Sequence, residues 1–206
     1  MVPVFSKSDL RPSLARSAAL LAAALLLAAC TSGGKPAAGS ATTAPAAAPA
    51  PPRPLKVTVR TTARGPERGF DAKQAAERAA PGIERFVDRY LTAAFVDAAG
   101  GDKGWDGLLA MFDPPVRAAA RKQLDALSLG AAAPMVTAVQ PGRASASAAV
   151  LYGGQPVAAT VQVAFDATAT TAKGSGPVHL RSVLQLLWTR GGWRIAAFDS
   201  RTGAGS

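Results

Sequence analysis

From Ile83 to Phe95 the apolar residues fall at Ile83, Phe86, Val87, Tyr90, Leu91, Ala94 and Phe95, with Glu84, Arg85, Asp88 and Arg89 between them. Spacings of three and four put the first set on one side of a helix and the charges on the other. The pattern predicts an amphipathic helix with Pro81 in its first turn and Gly100-Gly101 as its stop. The next stretch, "GWDGLLAMFDPPVRAAARKQLDALSLG", predicts two shorter helices. One runs from Trp105 to Phe112. The other opens with Asp113 as N-cap and Pro114 in the first turn, keeps Val116, Ala120, Leu124 and Leu127 on one face, and ends near Gly130.

Beyond Met135 the period changes from helical to alternating. "QPGR" (140–143), "YGGQ" (152–155) and "RGGW" (190–193) carry the residues of tight reversals, and "TTAKGSGP" those of a longer one. Four reversals predict five strands, at 135–140, 143–152, 155–167, 178–189 and 193–199, paired as an antiparallel meander. Val157, Ala159, Val161, Val163 and Phe165 alternate with Ala158, Thr160, Gln162, Ala164 and Asp166, and Leu180, Leu184, Leu186 and Trp188 alternate with His179, Arg181, Gln185 and Thr189. One face is therefore apolar and the other wet, and the apolar face needs a covering layer. The expected fold is α+β, with three N-terminal helices on a curved antiparallel meander of four to five strands across residues 81–201. A basic stem at 55–80 precedes it, and a short tail at 202–206 follows. Within that stem "KVTVRTT", Lys56 to Thr62, fits an edge strand as well as an extended connector.

Near the N-terminus the pattern is different. Ala18 to Ala29 is an unbroken Ala/Leu run of twelve residues, which as a helix covers roughly 18 Å against the ~30 Å of a bilayer core. Lys7, Arg11 and Arg16 precede it and small residues close it, the order of an export signal over residues 1–29. Residues 30–54 are almost all Ala, Pro, Thr, Ser and Gly, a composition that cannot offset its ordering entropy and reads as a disordered spacer. The 24 residues from Thr31 to Pro54 reach at most about 70 Å.

The net charge of +10 is concentrated toward the spacer and stem: residues 31–80 hold eight basic and three acidic side chains, residues 81–206 twelve and nine. Arg53, Lys56, Arg60, Arg64 and Arg68 suit either contact with an anionic envelope surface or a merely soluble connector. Nucleic acid is not an expected partner, since no basic motif is interleaved with aromatics and export removes the partner.

Candidate chemistry is sparse. Cys30 is the only cysteine and His179 the only histidine, so no disulfide framework exists. His179 shares strand parity with Arg181 and Gln185 and falls on the wet face. Asp166 and Asp199 read as solvated strand-end charges, and Asp113 has its capping role. "DAAGGDKGWD" (97–106) lacks calcium-loop spacing, and neither a His/Cys cluster nor a glycine-rich phosphate loop occurs. No catalytic residue, metal ligand or cofactor is assigned.

Two resemblances extend this reading. Leu27-Ala28-Ala29-Cys30 resembles the lipobox of bacterial, actinobacterial-type lipoproteins. That implies a diacylglyceryl group of palmitate-like chains on the Cys30 sulfur, cleavage just before it, and anchorage to the outer leaflet of the cell membrane, which two or more acyl chains hold stably. Helices followed by a meander ending in "LLWTRGGWRIAAFD" resemble the nuclear transport factor 2-like (cystatin-like cone) superfamily over Gly82 to Asp199. That fold implies a cavity between the first helix and the sheet, with Phe86, Tyr90, Trp105, Phe112, Phe165 and Trp188 as candidate lining, although bulky apolar residues at such places more often fill a core. Asp113-Pro114-Pro115 links the second and third helices directly, where many members insert a hairpin, an arrangement closer to the envelope scaffold domains of type IV secretion and conjugation systems. The expected function is a non-catalytic, lipid-anchored scaffold for an envelope protein. The alternatives are a carrier of an apolar small molecule and a small hydrolase or isomerase using an aspartate inside the cone.

Overall fold

In the computed structural model residues 54–66, 68–101 and 103–204 are described. Leu27, Ala28, Ala29, Cys30 and the spacer up to Arg53 lie outside the described residues.

Helix α1 spans Ala72–Leu91 and starts well before the expected point. Asp71 caps it, its carboxylate accepting a hydrogen bond from the Gln74 backbone N–H at 2.9 Å. Residues 72–80 are rich in alanine, the strongest helix former, and Ala75, Ala76 and Ala79 extend the buried stripe of Ile83, Phe86, Val87, Tyr90 and Leu91. Pro81 thus sits inside α1 rather than in its first turn. It lies on the exposed side, where the carbonyl it leaves without a helical donor faces water. The chain continues through a π-helical turn at Thr92–Val96 into α2 (Lys103–Ala110), α3 (Pro114–Lys122) and α4 (Leu124–Leu127), then a 3-10 turn at Gly130–Met135. Asp113 occupies the N-cap position of α3, but its side chain makes no capping bond.

Five strands form one open, mixed sheet in the order β1 (Val57–Arg64), β2 (Val136–Tyr152), β3 (Pro156–Thr171), β4 (Gly174–Thr189), β5 (Gly192–Ala204). Strands β2 to β5 are the antiparallel meander; β1 pairs parallel to β2 at the edge. Lys56–Thr62 therefore supplies an edge strand. The stem at 55–80 belongs to the folded domain, since Val57, Ala63, Ala75, Ala76 and Ala79 are core residues. Three further expectations are corrected. "QPGR" reverses nothing: the strands expected at 135–140 and 143–152 are one strand, Val136–Tyr152, with a bulge between Pro141 and Ala144. Proline tolerates a bulge because no ladder N–H is needed there. Gly142 passes so close to β3 that a β-carbon on it would lie 2.7 Å from the Asp166 carbonyl oxygen. The longer loop is a tight turn, with β3 running to Thr171 and β4 starting at Gly174, and Thr202–Ala204, expected in the tail, continue β5.

The link between α2 and α3 is stitched to β5. The Asp113 N–H donates to the Ile195 carbonyl at 2.8 Å, and the Ile195 N–H to the Met111 carbonyl at 2.9 Å. Between them Phe112 and Ile195 form a single bridge. On the covered face of the sheet, Ala144, Ala146, Ala148 and Val150 of β2, Val161, Val163 and Phe165 of β3 and Leu180, Leu184 and Leu186 of β4 meet the buried stripe of α1. Phe95 packs against Phe165 with ring centroids 5.0 Å apart. Tyr152, also buried, reaches back to donate its hydroxyl to the Ala75 carbonyl at 2.8 Å.

Two measurements check this packing. Phe165→Ala removes a fully buried ring and is expected to cost about 3–5 kcal/mol in urea unfolding. Gly142→Ala forces β2 and β3 apart at the bulge, with an expected cost of about 1–3 kcal/mol.

Candidate functional site

Because side chains alternate along every strand, the residues left over from the core share the opposite face. The register aligns them in rows. Thr58, Ser145, Ala164, Arg181 and Arg201 form one row across the five strands, and Arg60, Ser147, Gln162, Val183 and Asp199 form the next. These ten residues, with Arg143 at the bulge, border an open trough of about 760 Å³ on the face away from the helices. Its floor is small and neutral: Ser145, Ser147, Gln162 and Ala164. Its flanks carry Arg60 and Arg143 on one side and Arg181 and Arg201 on the other. With strands ~4.8 Å apart, β2 and β4 are roughly 10 Å apart across the floor, and β1 and β5 about 19 Å.

The charges differ in how they are engaged. Asp166 accepts from His179 Nδ1 at 2.8 Å and from Arg181 Nη1 at 3.1 Å. The hydrogen bond from His179, followed by the bond and charge of Arg181, holds the Asp166 carboxyl below the ordinary carboxylate range. Expected as a plain strand-end charge, Asp166 is instead the hinge of a small network at the end of the trough. Arg60, Arg143, Arg201 and Asp199 make no ion pair among the described residues. Two rows beyond Gln162 the same face turns apolar, where Leu151, Ala158 and Leu187 lie in register, with Leu151 52% and Leu187 43% exposed.

The aromatic candidates lie elsewhere. Phe86, Tyr90, Phe112 and Phe165 are fully buried in the core. Phe112 meets Phe198 edge-on at 5.4 Å, and Phe86 borders a second cleft, about 440 Å³, together with Asp88, Arg89, Asp97 and Arg194. Trp105 is half-buried against the core, and among the described residues its indole N–H has no partner. Trp188 keeps its place on the covered face at the end of β4 but is 41% exposed, and it meets Trp193 edge-on at 5.1 Å. Inside the core the Tyr90 hydroxyl donates to the Leu127 carbonyl at 3.3 Å. Burial pushes its ionisation well above the ordinary phenol range, opposed by Ser182 and Ser200, which bond each other at 2.5 Å.

Sequence reasoning missed the trough. Its arginines come from four different strands and only the register unites them; the available signal was the shared parity of Arg181, Gln162 and Asp166. Among the described residues, no group of three or more His, Cys, Asp or Glu is placed to hold a metal ion, and no helix is long and apolar enough to cross a membrane.

The Asp166 network has a pH signature. A carboxyl whose folded pKa lies below its unfolded value, about 3.9, contributes stability above that value and loses it as pH falls through the folded pKa. In a side-chain carboxyl NMR titration Asp166 is expected to have a midpoint below that of an unstructured aspartate. His179→Ala is expected to return it toward the ordinary value.

Compared with known proteins, the chain matches no family model, no curated protein and no solved structure.

Proposed function

We propose that this protein is a non-catalytic, lipid-anchored module of the cell envelope that recruits a partner protein through the open face of its sheet. The observation that carries the reading is the contrast between the two faces. On the covered side Phe86, Tyr90, Phe112 and Phe165 leave no exposed ring surface for an apolar ligand. On the open side five strands present a trough edged by arginines. A small hydrolase would be better served by an acid and base held away from water. The one histidine–carboxylate pair here is 46% and 37% exposed on the sheet face, where solvent screens it.

Anchorage rests on the lipobox-like Leu27-Ala28-Ala29-Cys30, and the Ala/Pro spacer then carries the domain away from the lipid. The order of helices followed by the antiparallel β2–β5 meander supports kinship with the nuclear transport factor 2-like superfamily, with β1, against which α1 packs most closely, as an added parallel edge. Export also suits a folded part without cysteine, which has no thiol to oxidise.

Expression in a host with lipoprotein-processing enzymes tests the reading. The expected product begins at Cys30, carries a diacylglyceryl mass and sediments with membranes, and Cys30→Ser abolishes both the added mass and the sedimentation. Recovery of the full chain with residues 1–29 attached and no acyl mass would overturn anchorage. A stoichiometric small molecule released from the purified domain would overturn the scaffold in favour of a carrier.

A further inference from the structure

The open face combines features that a merely solvated sheet does not need. Arg60, Arg143 and Arg201 stand around one concavity with no acidic partner among the described residues, although three like charges at such range repel one another. Guanidinium groups present planar forks of donors that match carboxylate oxygens. Between them the floor offers hydroxyls and an amide from Ser145, Ser147 and Gln162. Asp199 lies among the arginines and, among the described residues, has no donor of its own. At the other end of the same face Leu151 and Leu187 give an apolar bar.

We propose that the trough is the docking site of an extended acidic segment of a partner protein. Its carboxylates are taken by Arg60, Arg143 and Arg201, its backbone N–H groups by Asp199 and Gln162, and its apolar side chains by Leu151 and Leu187. The proposal rests on the scaffold reading above and names the partner's chemistry.

Charge complementarity selects this occupant over others. The spacer of the same chain holds no Asp or Glu from residue 30 to 54 and brings nothing for the arginines. A second copy offers the outer side of α1, where Lys73, Arg78, Arg85 and Arg89 outnumber Glu77, Glu84 and Asp88, so it adds more repulsion than attraction. A phosphate polymer has no donors, and its dense charge would lie against Asp199. Nucleobases and sugar rings need an aromatic platform, and the trough lining has none. A peptide alone among these brings carboxylates, N–H donors and apolar groups together.

The test uses the purified, lipidated full chain and a short fluorescein-labelled peptide of alternating Glu and Ser, read by anisotropy. Binding is expected to weaken with rising salt, as exposed charge pairs do, and the matching Gln/Ser peptide is expected not to bind. Arg143→Glu combined with Arg201→Glu is expected to weaken binding at least about tenfold. The thermal midpoint should stay unchanged, since neither side chain has a partner to lose among the described residues. Arg143→Gln with Arg201→Gln, which introduces no repulsion, should act in the same direction with a smaller effect. Equal binding of the neutral peptide, no loss in either double variant, or tighter binding of long-chain polyphosphate or of phosphatidylglycerol vesicles than of the acidic peptide would each overturn the proposal. In-cell crosslinking separates this failure from that of the scaffold reading. Partners recovered equally with wild type and the charge-reversed variant would leave the scaffold standing and exclude the trough; no partner with either would remove both.

Discussion

A sheet with one apolar face cannot exist alone in water, and covering that face is the constraint from which the other features follow. Helix α1 meets it with a stripe that runs its whole length, from Ala75 to Leu91, against side chains of β2, β3 and β4. Burying these residues at roughly 25 cal/mol per Å2 of apolar surface supplies the favourable term that conformational entropy opposes. Because a one-residue slip would send every apolar side chain of a strand to the other side, the same burial also fixes the register. It therefore decides which polar residues become neighbours on the open face. The core and the trough are two readings of one alternation.

The parts legible in the sequence are those where side-chain size or polarity alternates sharply. Strands β3 and β4 could be assigned face by face because Val, Leu and Phe alternate with Thr, Gln and Arg, and the second half of α1 because Ile83, Phe86 and Tyr90 stand out from charges. The first half of α1 was hidden because Ala75, Ala76 and Ala79 are too small to mark a face, so Pro81 passed for a helix start. "QPGR" passes for a turn because proline and glycine mark bulges as well as reversals. Strand β1 has no local signature, since its partner β2 lies some eighty residues on and a parallel pair has no local turn to announce it. Arg60, Arg143, Arg181 and Arg201 were each visible, but their meeting depends on a bulge and a parallel edge that local patterns do not encode. The export signal expected over residues 1–29 rests on composition and segment order alone, and lipid attachment at Cys30 on a resemblance.

The chemistry open to the trough follows from its exposure. Charges on an uncovered sheet are screened by water and salt, so each pair contributes little, on the order of 0–1 kcal/mol. Strength there comes from several contacts made together, and the chief benefit of a basic groove is orientation and faster encounter. The reverse holds at the core, where the hydroxyls of Tyr90 and Ser182 are removed from water and Ser200 is half-buried beside them. Their mutual bonds offset a desolvation cost that would otherwise fall on the centre of the fold.

Strand β1 is also the free margin of an open sheet. Such a margin exposes a row of backbone donors and acceptors that another chain's strand can extend. Here it carries Arg60 and Arg64 on one side, so a second molecule adding itself edge to edge would bring guanidinium against guanidinium. That repulsion disfavours sheet-to-sheet fusion and keeps neighbouring domains separately folded at high local concentration.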